Sequence, residues 1–173
     1  MDIFEAAETG NTKALEKHIK GGVDVDEVDR NGNTALHYAS EFSLSCVKLL
    51  IEARADINPI GRKGNTPLHI AASLGDAAIT PLLIEAGANI HAENDYGWQP
   101  LQTAAHRGDA EIVQVLLTAE AAAYEDKIKS AMNTASQKGH SACLEILRDH
   151  LERPVLEKAA GKTALPSFVK KQL

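Results

Sequence analysis

The sequence is poor in cysteine, in aromatic residues and in long apolar runs, and these shortages exclude several kinds of protein. Its 173 residues include two cysteines, and no pair has CxxC spacing, so neither a disulfide framework nor a zinc module is indicated. No stretch approaches the roughly 18 consecutive apolar residues of a membrane span. The amino terminus, MDIFE, lacks the basic and apolar regions of a secretory signal. These absences predict a cytoplasmic location and no membrane partner.

Charge is distributed unevenly along the chain. The net charge is −6, but residues 152–173 contain five cations and two anions, a net +3, which leaves −9 on residues 1–151. An acidic body repels phosphate backbones, so the charge opposes nucleic-acid binding. Hydrophobic residues make up 44% of the chain, which is ordinary for a folded globular protein. Composition therefore predicts a folded protein without naming its function.

A repeat of about 33 residues is the most informative feature that is present. NGNTALHYAS at 31–40 recurs as KGNTPLHIAA at 63–72 and as YGWQPLQTAA at 96–105. A second block, LIEARADIN at 50–58, recurs as LIEAGANIH at 83–91. Each unit contains a turn glycine, a helix that starts at Thr-Pro or a variant of it, and a narrow stripe of leucine and alanine. One such unit cannot bury both of its helices, so neighbouring units must share a core.

These segments resemble the ankyrin repeat, whose T-P-L-H-x-A signature and 33-residue period are nearly intact here. The resemblance implies an all-α solenoid of helix-turn-helix units whose tips are β-hairpins or turns. It divides residues 1–151 into a capping repeat at 1–28, fuller repeats at 29–60, 61–93 and 94–126, and a degenerate repeat at 127–151. The basic tail at 152–173 either caps the last repeat or is loose. Because the chain starts almost directly with the cap, we expect a complete small protein.

Four departures from the pattern predict local differences between the repeats. Arg54 and Glu120 stand where Gly87 closes a helix, so those ends adopt a strained left-handed conformation or close differently. Pro81 lies within a second helix and should kink or shorten it. The fourth repeat lacks the turn Gly, Thr and Pro, so we expect a degenerate hairpin there.

No arrangement of residues indicates catalysis, a cofactor or a metal site. His37 and His69 occupy the histidine position of the repeat signature, and no nucleophile or carboxylate accompanies them in both repeats. The resemblance implies that they hydrogen-bond the turn backbone and neighbouring repeats. The segment GKT at 161–163 has Leu156 where a phosphate-binding loop needs glycine. We therefore predict that the protein is not an enzyme.

The two cysteines share one register position, at the apolar start of a second helix. Cys46 and Cys143 are separated by three repeats, or about 25–30 Å at about 8–10 Å per helix layer, which is beyond disulfide reach. We expect both thiols to be buried as small hydrophobic groups.

The resemblance implies a concave surface made from the hairpin tips and the exposed side of each first helix. Residues there have no role in the core, so their types carry information about a partner. The predicted partner-binding residues are Arg30, Asn31, Asn33, Glu41, Phe42, Arg62, Lys63, Asn65, Leu74, Asp95, Tyr96, Trp98, His106 and Arg107.

Two interpretations remain open for the aromatic and apolar members of this surface. Trp98, the single tryptophan, either contacts a partner together with Tyr96 or folds back over its own hairpin or a neighbouring tip. Phe42 and Leu74 either extend the same apolar patch or fill an interhelical loop. The cations along the tips complement a partner with acidic and apolar residues.

The sequence predicts a monomeric, non-catalytic protein-binding module that acts as an adaptor or as an inhibitor. Its partner is an unidentified protein rather than nucleic acid or membrane. The alternative is a subunit that stabilises or targets a specific enzyme complex, with the tail as a second contact. An adaptor would bind two proteins at once, whereas an inhibitor would lower one partner's activity at stoichiometric amounts.

Overall fold

The fold is a stack of five helix-turn-helix units, described from a computed structural model for residues 1–119 and 125–159. Those residues contain α-helices and no β-strand. The two helices of each unit are joined by a short turn, and longer connections join one unit to the next. The ten helices are α1 (Ile3–Glu8), α2 (Thr12–Lys20), α3 (Ala35–Phe42), α4 (Leu44–Glu52), α5 (Pro67–Leu74), α6 (Ile79–Glu85), α7 (Pro100–Arg107), α8 (Ala110–Ala119), α9 (Glu125–Lys138) and α10 (Ser141–Ala159).

The helices form two rows. In the inner row α1, α3, α5, α7 and α9 each contact the next, and in the outer row α2 packs on α4 while α8 packs on both α6 and α10. Helices of six to ten residues are too short to be stable alone in water, so the shared core between units must stabilise them. The predicted all-α solenoid is confirmed.

Repetition in the sequence places equivalent side chains in one continuous core. Leu36, Leu68 and Leu101 occupy the same position of the inner helices and are all buried. Ala71 and Ala72 are fully buried on α5, where their small side chains allow neighbouring helices to approach closely. The core therefore runs along the stack rather than collecting at one centre.

The tips between the units are turns rather than two-stranded hairpins in the described residues. Each is closed by one backbone hydrogen bond of the same kind, from Asp29 N to Asn33 O at 2.9 Å, from Gly61 N to Asn65 O at 2.9 Å, and from Asn94 N to Trp98 O at 3.0 Å. We call them the first, second and third tips, at residues 29–33, 59–65 and 94–98.

The departures from the repeat pattern have local structural outcomes. Arg54 has a φ of 63°, so this helix end does use the left-handed conformation, whereas Glu120 lies outside the described residues. Helix α6 begins at Ile79, which puts Pro81 in its first turn, where a missing N–H leaves no helix bond unmade. The proline thus accompanies a short helix and produces no kink.

The fourth repeat differs most from the others. Helix α9 begins at Glu125, so the residues of this repeat that correspond to a tip in the other repeats are helical. Helix α10 continues to Ala159 and therefore crosses the boundary that we placed at residue 151. Whether the rest of the tail caps the stack or is loose falls outside the described residues.

Replacing Thr80 with valine is expected to stabilise the protein by about 1 kcal/mol. The Thr80 side chain is fully buried, and its hydroxyl has no hydrogen-bond partner among the residues that the structure describes. Such a group costs about 1–3 kcal/mol relative to an apolar group of the same shape. Val47 and Val113 occupy the equivalent position in α4 and α8 and are buried there. Chemical unfolding would test this, and an unchanged or lower midpoint would contradict it.

Candidate functional site

The tips are joined to each other by hydrogen bonds from their own polar residues. Asn33 Oδ1 accepts from the Arg62 backbone N–H at 2.9 Å, and Asn65 Oδ1 accepts from Asn94 Nδ2 at 2.9 Å. The Lys63 carbonyl also accepts from the Asp95 N–H at 3.0 Å. Asn33 and Asn65, which we predicted as partner-binding residues, thus have a structural role between tips.

Two buried histidines connect inner helices to the tips that follow them. His37 joins α3 to the second tip, and His69 joins α5 to the third. The Thr34 N–H donates to His37 Nδ1 at 3.0 Å, which leaves the ring proton on Nε2, and Nε2 donates to the Asn65 carbonyl at 3.0 Å. His69 repeats the arrangement with Thr66 and the Trp98 carbonyl. Both histidines therefore hydrogen-bond the turn backbone and the neighbouring repeat, as the resemblance implies.

The protein is expected to lose stability as the pH falls below about 6.5. Burial lowers the pKa of His37 and of His69 from the ordinary value of 6.5, so the unfolded chain binds more protons than the folded one below that pH. The contribution is fully present above the unfolded pKa and is lost as the pH falls toward the folded pKa.

Unfolding free energies measured between pH 5 and pH 8 would test this pH dependence. The His37→Gln, His69→Gln double variant should show a smaller loss on acidification than the wild type, because glutamine does not titrate. Equal pH dependence in both proteins would contradict the prediction.

A groove of about 330 Å³ lies between the first and second tips on the side of α3 and α5. Six of the fourteen predicted partner-binding residues line it, together with Tyr38 and Ile70. The six are Asn31, Asn33, Glu41, Arg62, Lys63 and Asn65. Arg62 and Lys63 are exposed and make no ion pair within the described residues, so the groove contains two cations against the one carboxylate of Glu41.

One wall of the groove is fixed by a hydrogen-bonded carboxylate. Asp29 accepts from the Tyr38 hydroxyl at 2.6 Å and from the backbone N–H groups of Asn31 and Asn33, both at 2.8 Å. Burial opposes its ionisation, but these hydrogen bonds outweigh burial and lower the pKa of Asp29. Tyr38 is therefore held in place at the groove.

The aromatic residues of the third tip pack on each other. The Trp98 ring lies 5.1 Å from the His106 ring and 6.4 Å from the Tyr96 ring, measured between centroids. Trp98 is half-buried in this cluster, whereas Tyr96 is 63% exposed. Burial, followed by the charges of Lys138, His140 and Arg107, lowers the pKa of His106. Tyr96 is thus the ring of this cluster that is most accessible to a partner.

Three predicted residues lie at the ends of the inner helices, away from the tips. Phe42 is 54% exposed, Leu74 is 45% exposed, and Arg107 is exposed at the same register position. Helices α3 and α5, which carry Phe42 and Leu74, pack directly on each other. The predicted site is therefore spread along the inner row rather than gathered in one pocket.

A family model that describes ankyrin repeats in three copies matches residues 3–94 and 75–159. The chain belongs to the ankyrin-repeat family. It is also similar to the ankyrin repeat protein FPV223 of Fowlpox virus (strain NVSL), with 38% identity over 52 residues. That match covers 30% of this chain and 37% of the viral protein, so the chain spans about a third of its relative. Ankyrin repeats are generally protein–protein interaction modules, and their proteins are generally non-catalytic.

Two exposed apolar residues at or next to the ankyrin tips are absent from the predicted partner-binding residues. Ile60 is 75% exposed and Val28 is 56% exposed. The two residues occupy the same position of their repeats, and the third repeat has Glu93 at that position. Glu93 is paired with Lys127 at 2.5 Å. The sequence does contain a signal for them, because each apolar residue lies two positions before an arginine that we predicted as a contact, Arg30 or Arg62. Apolar residues between repeats are, however, easily taken for core residues.

The remaining chemistry of the described ankyrin units is structural. Cys46 and Cys143 are both free and buried, as predicted, and burial raises the pKa of the Cys143 thiol. Within residues 1–119 and 125–159 no group of three or more His, Cys, Asp or Glu side chains could hold a metal ion. None of the helices there is both long and apolar enough to cross a membrane.

Proposed function

We propose that this ankyrin protein is a non-catalytic cytoplasmic module that binds a partner protein along its concave face, as an adaptor or an inhibitor. The observation that carries the proposal is the groove between the first two tips, because six residues chosen from sequence alone line it. The preferred partner has an acidic and apolar contact segment, and the module acts as a monomer without nucleic acid or membrane.

The order of the concave face supports docking without large rearrangement. The tips are tied to each other by the side chains of Asn33 and Asn65, and to the helices by His37 and His69. A surface that is already ordered loses little conformational entropy on binding, so more of the contact energy appears as affinity. Exposed Phe42, Leu74 and Tyr96 provide apolar contact area, and tyrosine is enriched at binding hot spots.

The test compares two triple variants in a lysate pull-down followed by binding of the purified partner. The Phe42→Ala, Leu74→Ala, Tyr96→Ala variant removes exposed concave contacts. The control variant carries Lys48→Ala, Gln114→Ala and Glu145→Ala on exposed positions of the outer helices. We expect the concave variant to lose the partner and the control to retain it, with equal helicity by circular dichroism. Equal recovery by both variants would exclude the concave face.

The same reagents distinguish the two modes of action. An adaptor holds two proteins in one complex, which size-exclusion chromatography with light scattering detects. An inhibitor lowers the activity of one purified partner at equimolar amounts, and the concave variant abolishes that effect.

The alternative is a subunit that stabilises or targets an enzyme complex. The continuation of α10 to Ala159 favours it, because this 19-residue helix includes the beginning of the tail and so holds it in an ordered conformation. A chain truncated after residue 159 should then retain its first contact but lose its stabilising effect on the enzyme.

A further inference from the structure

We propose that the second tip is the anchor of the concave face, and that Ile60, Arg62 and Lys63 bind an acidic segment of the partner that carries an apolar side chain. This inference rests on the proposed function and narrows it to one tip and one partner chemistry. Three observations support it, namely the backbone conformation of the tip, its attachment to both neighbours, and its charge.

The second tip has a backbone conformation that the first and third tips lack. Residues Arg62–Gly64 form a tight turn in which Lys63 is left-handed, with a φ of 61° and a ψ of 27°. The equivalent residues, Asn31 and Tyr96, do not have positive φ. Among the described residues only Arg54 and Lys63 are non-glycine residues with positive φ. A glycine would occupy the Lys63 position without strain, so the lysine side chain is present there at a cost in backbone energy.

The backbone of the second tip is bound from both sides, which leaves its side chains for a partner. The Arg62 N–H is bonded to Asn33 of the first tip, and the Lys63 carbonyl to the Asp95 N–H of the third. Gly61 lies so close to His37 that a side chain would not fit between them. The Arg62 and Lys63 side chains are exposed, and Ile60 is the most exposed large hydrophobic residue of those described.

Charge distinguishes the second tip from the other two. Residues 59–65 read PIGRKGN, with two cations and no acid, whereas the first tip sets Asp29 next to Arg30 and the third has Asp95 in place of the arginine. The rest of the body is acidic, so a local excess of positive charge attracts an acidic segment and repels a basic one. The adjacent groove of about 330 Å³ has room for side chains of that segment.

The experiment uses the full-length protein and a phage-displayed library of random 16-residue peptides. Peptides selected on the wild type are then titrated against variants by fluorescence anisotropy at two salt concentrations. We expect the enriched peptides to contain acidic residues near an apolar one. The Arg62→Ala, Lys63→Ala variant should bind them about tenfold or more weakly, and Ile60→Ser about threefold or more weakly.

Lys63→Gly and Arg54→Gly form a matched pair that separates strain from binding. Both substitutions relieve a left-handed non-glycine residue, and each should raise the Tm by about 2 °C. Lys63→Gly should also weaken peptide binding about threefold or more, whereas Arg54→Gly, at a helix end, should leave it unchanged. Lys63→Gly with unchanged affinity would overturn the proposal.

Other outcomes separate this inference from the proposed function. Peptides without acidic residues that bind the wild type but not the Phe42, Leu74 and Tyr96 variant would overturn the role of the second tip and leave the concave face in place. Peptides that bind every variant equally would overturn both. A selection that enriches no peptide would also overturn the assignment of an acidic protein segment. Binding of a 20-nucleotide single-stranded DNA that is lost in the Arg62→Ala, Lys63→Ala variant would overturn it as well.

Discussion

The His69→Ala variant is expected to lower the free energy of unfolding by about 2–4 kcal/mol. His69 is buried, its Nδ1 lies 2.9 Å from the Thr66 hydroxyl, and its Nε2 donates to the Trp98 carbonyl at 2.9 Å. Alanine removes the bond from the Thr66 N–H to the His69 ring, which is one half of the α5 capping box, together with the link to the third tip. It also leaves a cavity between two repeats, so the losses add to one another.

The chain supplies its own control for this variant. Gln102 occupies the same position in α7, and its Oε1 accepts from the Gln99 N–H at 2.8 Å, which is the capping bond that His69 makes with Thr66. His69→Gln should therefore keep the cap and cost only about 1–2 kcal/mol. Urea unfolding followed by circular dichroism at pH 7.5 measures both variants. Equal losses in the two, or a loss below about 1 kcal/mol for alanine, would contradict the role assigned to this histidine.

The Gly61→Ala variant is expected to destabilise the protein by about 2–3 kcal/mol, although the backbone of Gly61 is compatible with alanine. Its φ is −103°, so no left-handed conformation is involved. A Cβ atom there would lie 2.6 Å from His37 Nε2, and it would also meet the Asn33 side chain. Asn33 joins the first tip to the second, and His37 joins α3 to the second tip, so moving these groups would break both hydrogen bonds.

Gly97→Ala separates this steric effect from backbone strain. Gly97 has a φ of 70°, and a Cβ atom at this position would have no neighbour within 4 Å. The cost of alanine there is therefore backbone strain alone, about 1 kcal/mol. Thermal or urea unfolding of the two variants gives the comparison. A cost for Gly61→Ala no greater than that for Gly97→Ala would show that the first and second tips are not packed as described.

The repeat in the sequence was sufficient to predict the architecture. The recurrence of Leu36, Leu68 and Leu101 at intervals of 32 and 33 residues identified the buried face of the inner helices, and all three are buried. The same alignment singled out Arg54 as a helix end that is either left-handed or closed differently, and the structure shows the left-handed conformation. These features depend on local conformation and on a pattern that repeats, and both can be read from the order of residues.

The composition of the candidate site was less predictable, because it depends on which polar atoms are already occupied. Asn33 and Asn65 look like free tip residues in the sequence, but their side chains bind the next tip. Trp98 was open between two roles, and the structure places it against His106. Ile60 was overlooked, although it is 75% exposed.

The sequence by itself determined the number, order and buried faces of the units, since these follow from periodic side chains that each unit presents to its neighbours. Only the tertiary structure decided which tip residues remain accessible to a partner. Hydrogen bonds between neighbouring repeats join residues about 30 positions apart, such as Asn33 with Arg62 and His69 with Trp98. The partners of these groups are set by the stacking of whole repeats, which no local pattern specifies.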